Sequence, residues 1–583
     1  MKALLSLSLL ATLAPLASAQ SAPIDTIVRN GDILTGAALL TPQPQRVQAL
    51  AITKGRIVFA GINADADKLP GITKSTKIID LHGAFAMPGF NDSHTHIAHA
   101  GQQRLTVDLV GSTSLTDMQS HIRTYVATAK PGTWLTGGGW DHTLWASKQL
   151  PTRQDLDTVT AGHPAILSRV DGHIAIANSA ALLSAGIATD TPDPAGARID
   201  RDASGTPTGI LRESAAVALV TAKIPPLTLE DRRKALELSI ADALSNGVTS
   251  VQDNSGWEDF LALEELEHTG KLHLRVSEWL DFSTPIAVLK TRRASHPAED
   301  LLLHLGQLKG FMDGSLGSRT AALEEPYTDD PTNSGLPRYQ QEKLNQMAAE
   351  RTQAGFQLGF HAIGDRANSI ALNAFQAAEQ ASLSANESPA TLRLRIEHAQ
   401  VLLPADFDRF TREGVIASMQ PSHLLTDMAW ATGRLGPERA KYAYAWKTFL
   451  NHHITLIFGT DYPVESINPF RGLYAATTRQ NESGTQTFQP QEKLSIAEAL
   501  YAYTQAPAFA EFREKQKGVL APGYLADFIV LDSDPTKAAP QQLLHTRVLN
   551  TYLNGALVYK ASAIATTSIA LNKSHNAKDD EDE

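Results

Sequence analysis

The chain of 583 residues contains no cysteine. Disulfide scaffolds, cysteine nucleophiles, cysteine-ligated zinc fingers and iron–sulfur clusters are therefore excluded, and any metal must be held by nitrogen or oxygen donors. A basic excess is also missing. Lys and Arg total 51 against 62 Asp and Glu, a formal charge of −11, which argues against a broad nucleic-acid-binding surface. No stretch reaches the roughly 18 uninterrupted apolar residues of a membrane-spanning helix. What is present is an apolar fraction of 43%, enough for a large core and incompatible with global disorder, and 19 histidines. The length exceeds one ordinary domain of about 150 residues, although a (β/α)8 barrel takes roughly 250 or more as one unit.

The N-terminus has the make-up of a secretory leader. Lys2 supplies the positive residue, Ala3 to Leu16 the apolar run, and Ala17-Ser18-Ala19 the small-residue cleavage site. Residues 1–19 are expected to be removed, leaving a mature chain that starts at Gln20 and works in the periplasm or as a secreted protein. Without cysteine the leader is not of the lipoprotein type. At the other end, residues 561–583 become Ser-, Thr- and Ala-rich and finish in Asp579-Asp580-Glu581-Asp582-Glu583, the composition of a disordered acidic tail.

Residues 24–85 alternate short strands with turns. Asn30-Gly31 suits the positive φ angles of a type I′ turn and predicts a hairpin between the flanking strands. Asn554-Gly555 repeats the pattern near the other end. Segments 24–85 and 511–560 are expected to form one small β-sandwich built from both chain ends. Between them, over 86–510, eight short apolar runs alternate with helical stretches such as Leu229 to Leu244 and Gln341 to Ala354. The runs are Ala86–Phe90, Val248–Val251, Leu274–Leu280, Leu308–Met312, Phe356–Phe360, Leu394–Ile396, Val415–Met419 and Ile454–Phe458. This pattern predicts an α/β fold, a (β/α)8 TIM barrel. The interval between the first two runs is too long for one βα unit. It predicts an insertion after strand 1, over about 100–245, with its own structure and lying over the barrel mouth.

Chemistry in such barrels collects at the C-terminal strand ends. There the first run is followed by His94 and His96, which share a face because strand side chains alternate, so that both rings can grip one metal ion. The fourth run carries Lys309; the fifth, sixth and eighth end at His361, His398 and Asp461. Four histidines and an aspartate at predicted barrel-mouth positions suit a divalent cation, one ion or two. An ammonium at Lys309 would repel such an ion. Burial would depress its pKa and allow reaction with carbon dioxide to a carbamate, a bidentate oxygen ligand; a lysine paired with a neighbouring carboxylate is the plainer reading.

With these residues the sequence resembles the amidohydrolase superfamily of metal-dependent hydrolases. Met87-Pro88-Gly89-Phe90 precedes the paired histidines, and Pro522-Gly523 and Ala526-Asp527 sit in the closing segment. Gly137-Gly138-Gly139-Trp140-Asp141, Arg169 to His173, Met312-Asp313-Gly314-Ser315 with Ser318-Arg319-Thr320, and Gln420 to His423 make it similar to the family 3 branch, which includes N-substituted formamide deformylase. The resemblance implies that His94, His96 and Asp461 bind the more buried metal. A carbamylated Lys309 would bridge to a second held by His361 and His398. A one-metal site stays open.

The chemistry implied is attack of metal-activated water, zinc being the expected ion, on a non-peptide carbon–nitrogen bond of a small organic substrate. Asp461 would take the proton of the attacking water and return it to the departing amine. Trp140, His142, Trp145 and His173 of the insertion are candidate pocket walls or polar contacts, and Arg319 and His423 candidate holders of a substrate oxygen; packing and loop-tying roles are equally open for each. Related readings are a cyclic amide, carbamate, ester or lactone as substrate, or a secreted binding protein that has lost catalysis. By analogy with superfamily barrels the chain could form a homodimer.

Overall fold

The computed structural model describes residues 22–170, 173–383 and 391–562. The expected leader at 1–19 and all but the first two residues of the expected tail at 561–583 lie outside them. Eight parallel strands form the central sheet: β1 (Phe90–Thr95), β2 (Val248–Asp253), β3 (Arg275–Asp281), β4 (Leu303–Phe311), β5 (Leu358–Ala362), β6 (Arg395–His398), β7 (Ile416–Met419) and β8 (Leu456–Phe458). Each pairs with its neighbour in chain order. Helices follow the strands and cover the sheet, as parallel pairing requires, because the chain must cross over before it can pair again in the same direction. Helix Leu229–Ser245 starts with a Thr228–Asp231 capping box. It packs against helix Ile97–Arg104 so closely that a Cβ on Gly101 would lie 1.9 Å from the Ala235 carbonyl oxygen.

The sheet nearly closes. Between β1 and the segment after β8, Asp461 N–H donates to His94 O and His96 N–H to Tyr462 O, each at 2.8 Å. Beneath this seam Asp92 is fully buried and accepts from Thr460 N–H at 2.9 Å and Thr460 Oγ1–H at 2.6 Å.

Both chain ends contribute to a second β-layer. Phe528–Leu531 pairs antiparallel with Phe85–Pro88, and that six-stranded sheet also takes Val548–Leu553 and Ala556–Lys560 from one end and Asp32–Leu34 and Arg46–Val47 from the other. A four-stranded sheet of Thr26–Arg29, Ala49–Thr53, Arg56–Gly61 and Lys77–Asp80 packs on it through Val28, Leu50, Ile52, Phe528 and Tyr552.

Two local expectations are corrected. The run Ala86–Phe90 is not the first barrel strand. Most of it pairs in the terminal sheet, and the barrel begins at Phe90 with the polar but fully buried Phe90–Thr95. Asn30-Gly31 does not close a hairpin either. Asn30 has a φ of 56°, but its flanking strands belong to different sheets, and the segment is tied to Asn63 and Asp80 instead. The hairpins form at Lys54-Gly55 and Asn554-Gly555, where both residues have positive φ.

The insertion carries its own six-stranded sheet between Val107 and Arg212, in the order Arg198–Arg201, Pro207–Arg212, Ile174–Ala177, Ile166–Arg169, Gly137–Trp140, Val107–Asp108. Glycine is needed where neighbouring backbone presses on Gly138: a Cβ there would stand 2.1 Å from Ser168 O. Two local clusters, one around Trp140 and Trp145 and one around Leu182 and Leu211, form separate cores.

Barrel and sandwich are joined by a buried, bidentate ion pair. Arg275 Nε and Nη2 reach Asp527 Oδ2 and Oδ1 at 2.6 and 2.9 Å, with Asn554 and the Leu301 carbonyl completing the guanidinium. Removing one partner strands a buried charge. Asp527→Ala is expected to lower stability by about 3–5 kcal/mol, read as a lower denaturation midpoint; an unchanged midpoint would show that the pair does not hold the two units together.

Candidate metal centre

The C-terminal ends of β1, β4, β5, β6 and the loop after β8 converge on a cavity of about 400 Å³. His94, His96, Lys309, His361, His398 and Asp461 all line it, and so does His423 from helix His423–Asp427. Two of these positions are reached only by backbone outside the strand region. His398 and Asp461 have φ of 74° and 59°, a conformation that costs a non-glycine residue about 1–3 kcal/mol and persists where surrounding contacts enforce it.

Each of the four barrel histidines has its Nδ1 facing a fixed acceptor. His94 Nδ1 lies 2.8 Å from Glu397 Oε2, His96 Nδ1 2.9 Å from Asn254 O, His361 Nδ1 3.0 Å from Asp313 Oδ1, and His398 Nδ1 2.7 Å from Gln420 Oε1. A carboxylate or carbonyl oxygen can only accept, so Nδ1 carries the proton and Nε2 keeps its lone pair. Neutral imidazoles that present Nε2 are metal ligands in waiting.

Asp461 sits between two groups of rings. Its Oδ1 is 3.0 Å from His96 Nε2 and 3.6 Å from His94 Nε2, while Oδ2 is 3.5 Å from His423 Nε2. Two trios that share Asp461 have donor atoms within 4.8 Å of one another: His94, His96 and Asp461, and His398, His423 and Asp461. Asp461 Oδ1 and His423 Nε2 are buried without a hydrogen-bond partner. Orphaned lone pairs converging from both sides fit a divalent cation.

Electrostatics agree with this donor set. Burial, together with Lys309, depresses the His94 pKa to about 3, so the ring is neutral. Burial opposes charge on Asp461, but positive charge on the surrounding rings of His94, His96, His398 and His423 would outweigh it and hold the carboxyl well below its usual range. Burial brings Lys309 down to about 8, against the pull of Glu397 and Asp461. Its Nζ lies 3.0 Å from His94 Nε2, beside the rings of Trp279 and Phe311.

The structure thus brings all six sequence-expected metal positions together. His423 joins them from the substrate-contact group, its ring stacked 5.9 Å from His398. The remaining candidates lie elsewhere. Trp140 and Trp145 are buried in the insertion's own core and donate to Leu167 O and Ser112 O, so of the roles open to them they take the packing one and not that of pocket walls. His142 packs beside Trp140, and the exposed His173 pairs with Glu213 at 3.1 Å; neither lines the cavity. Among the described residues no part of the insertion lines it. Arg319 is bound by Asp329 at 2.8 Å, also outside the lining, although Ser315 to Gly317 just before it contribute. The walls come instead from Phe311, Leu316, Ile363, Trp430 and Val464.

Glu397, Asp313, Gln420 and Asn254 were missed as orienting groups. The signal for Glu397 was present: Arg395 and Glu397 put two charges on one face of a short, buried strand. They pair at 2.6 Å inside the barrel, and Gln307 adds a bond at 3.0 Å. Burial would raise the Glu397 carboxyl, but Arg395 and His94 keep it ionised, well below its usual range.

A sequence model of the amidohydrolase family matches residues 77–559. The chain is 34% identical over 547 residues to Protein LONG AFTER FAR-RED 3 of Arabidopsis thaliana, covering 92% of this chain and 91% of that protein. It is 27% identical over 531 residues to N-substituted formamide deformylase of Arthrobacter pascens, covering 88% and 95% respectively. The crystal structure of an uncharacterized metal-dependent hydrolase from Pyrococcus furiosus superposes with a TM-score of 0.73 at 32% identity, over 88% of this chain and 100% of the other.

Because Glu397 fixes the His94 tautomer, Glu397→Gln is expected to weaken divalent-cation binding about 10- to 100-fold with the fold intact. Zinc competition against a chelator measures this; wild-type affinity would count against the orienting role.

Proposed function

The chain belongs to the amidohydrolase family of metal-dependent hydrolases, and we propose that it cleaves a carbon–nitrogen bond of a small, non-peptide amide at the pocket around Asp461. The carrying observation is Asp461 itself: one ionised carboxylate shared between two groups of imidazoles, in a pocket walled by apolar side chains. A divalent cation held by His94, His96 and Asp461, which we take to be zinc, would supply Lewis acidity toward the substrate carbonyl and lower the pKa of water toward neutrality.

The chain's own residues do the rest. Glu397, Asn254, Asp313 and Gln420 keep the four rings oriented. Asp461 takes a proton from water as the water oxygen bonds to the carbonyl carbon. His423, 3.5 Å from Asp461 Oδ2, is placed to hold the resulting oxyanion or a second cation. As the carbon–nitrogen bond breaks, Asp461 returns the proton to nitrogen, so that the amine leaves neutral. The pocket of about 400 Å³ suits a small organic molecule. The similarity to a deformylase of N-substituted formamides supports an N-acyl or N-formyl amine.

Lys309 completes the centre as a carbamate. As an ammonium it would occupy the His94 lone pair and repel a cation; as a carbamate it would supply oxygen donors that could hold a second ion together with His361 and His398. We place the enzyme outside the cytoplasm on the strength of its N-terminal sequence.

Asp461→Asn is expected to keep the fold and lose about 100- to 10,000-fold in turnover of N-acyl amines; near-normal turnover would sink the shuttle assignment. The intact mass under native conditions tests the other two points. A chain beginning at Gln20 and heavier by one carbon dioxide is expected. A retained leader would refute export, and an unmodified lysine with one cation per chain would refute the carbamate.

A further inference from the structure

At the opposite end of the barrel from the metal centre lies a recess of about 670 Å³ between the N-terminal ends of β3, β4 and β5. His304 and Lys309 lie on the same strand, five residues apart, so roughly 17 Å of chain separates the recess from the metal centre. Its floor is the segment after helix Ile496–Ala510, where Glu511 plugs the barrel.

The polar groups lining the recess are incompletely used. His304 is 6% exposed, yet neither ring nitrogen has a hydrogen-bond partner. Its Nε2 stands 3.6 Å from Glu511 Oε2, too far for a bond. Glu511 Oε1 is well satisfied, by Asn91 Nδ2 at 2.7 Å and Lys517 Nζ at 2.8 Å, whereas Oε2 has no partner. Thr352 Oγ1 and Arg513 Nε are likewise buried and unpaired. Burial and the positive charges of Arg513 and Lys517 keep His304 neutral, with one donor and one acceptor nitrogen. Leaving this many buried polar atoms unpaired costs about 1–3 kcal/mol each, so a partner is expected.

The arrangement also says what kind of partner. Arg293 and Arg513 both line the recess, and each spends only part of its five N–H donors on backbone carbonyls, Arg293 on Ala354 and Gly355, Arg513 on Ala298 and Phe512. Two guanidinium groups favour a carboxylate. Glu511 Oε2 and one nitrogen of His304 call instead for a ligand N–H or O–H. We propose that this recess is a second ligand site, taking a small carboxylate that also carries a hydroxyl or amino donor. Such a ligand would link β4 to the plug that closes the barrel, at a distance from the chemistry.

Isothermal titration of the metal-loaded protein with 4-hydroxybutyrate, 4-aminobutyrate and butyrate tests this. The expected result is saturable binding of a donor-bearing probe, at least about tenfold tighter than butyrate, one unmade hydrogen bond to a charged group being worth that factor. Arg513→Gln should weaken that binding about tenfold or more, and so should His304→Leu if it folds, while Asp461→Asn leaves it unchanged and both recess variants keep wild-type turnover. No saturable binding (a recess filled by solvent alone), equal affinity for butyrate, unchanged affinity in Arg513→Gln, or loss of binding in Asp461→Asn would each overturn the proposal.

Discussion

Closure of the barrel between its first and last strands is the constraint on which the rest depends. No extended ladder joins these strands. The join consists of the Asp461 amide on the His94 carbonyl and the His96 amide on the Tyr462 carbonyl, with Asp92 gripping Thr460 underneath. Three of the four residues whose backbones make the seam, His94, His96 and Asp461, also line the pocket. Barrel closure and assembly of the donor set are therefore one event, and the left-handed backbone at Asp461 is the strained position that closure enforces.

Closing the barrel buries polar groups that must then satisfy one another. Arg395 reaches Gln252, Ser418, the Ser93 carbonyl and Glu397; Glu397 in turn takes Gln307 and His94. This column of hydrogen bonds fixes the rings before any cation arrives, which is how a donor set acquires affinity without reorganisation. The same column continues downward through Gln252, whose Nε2 donates to Glu511 Oε1 at 3.4 Å beside the Lys517 ammonium, and the second oxygen of Glu511 opens on the basal recess. Metal pocket and recess are the two ends of one polar interior in an otherwise apolar barrel.

The insertion shows how a long sequence interval can mislead about function. Its length correctly implied independent structure, and the sheet between Val107 and Arg212 supplies it. Its tryptophans are candidate pocket walls in the sequence, with a packing role equally open. They fill the insertion's own core, because a sheet with separate clusters must bury its aromatic surface locally.

Much was legible from the chain alone. The alternation of apolar runs and helical stretches specified the barrel, since parallel strands buried on both faces read as short apolar segments. The polar residues placed just beyond those runs pointed to His94, His96, His361, His398 and Asp461, and the one charge within the fourth run to Lys309, because strand ends are where a barrel exposes side chains to its mouth. The first strand escaped this reading: Phe90–Thr95 is polar and yet buried, its groups being satisfied by partners far away in the chain. For the same reason Glu397, Asp313, Gln420 and Asn254 were visible only as residues, not as orienting groups, and His423 only as a loose candidate. Local sequence determines which segments can be strands and which side chains can donate. Only the closed tertiary structure decides which donors meet, because each meeting depends on register and backbone direction at strand ends brought together from across the whole chain.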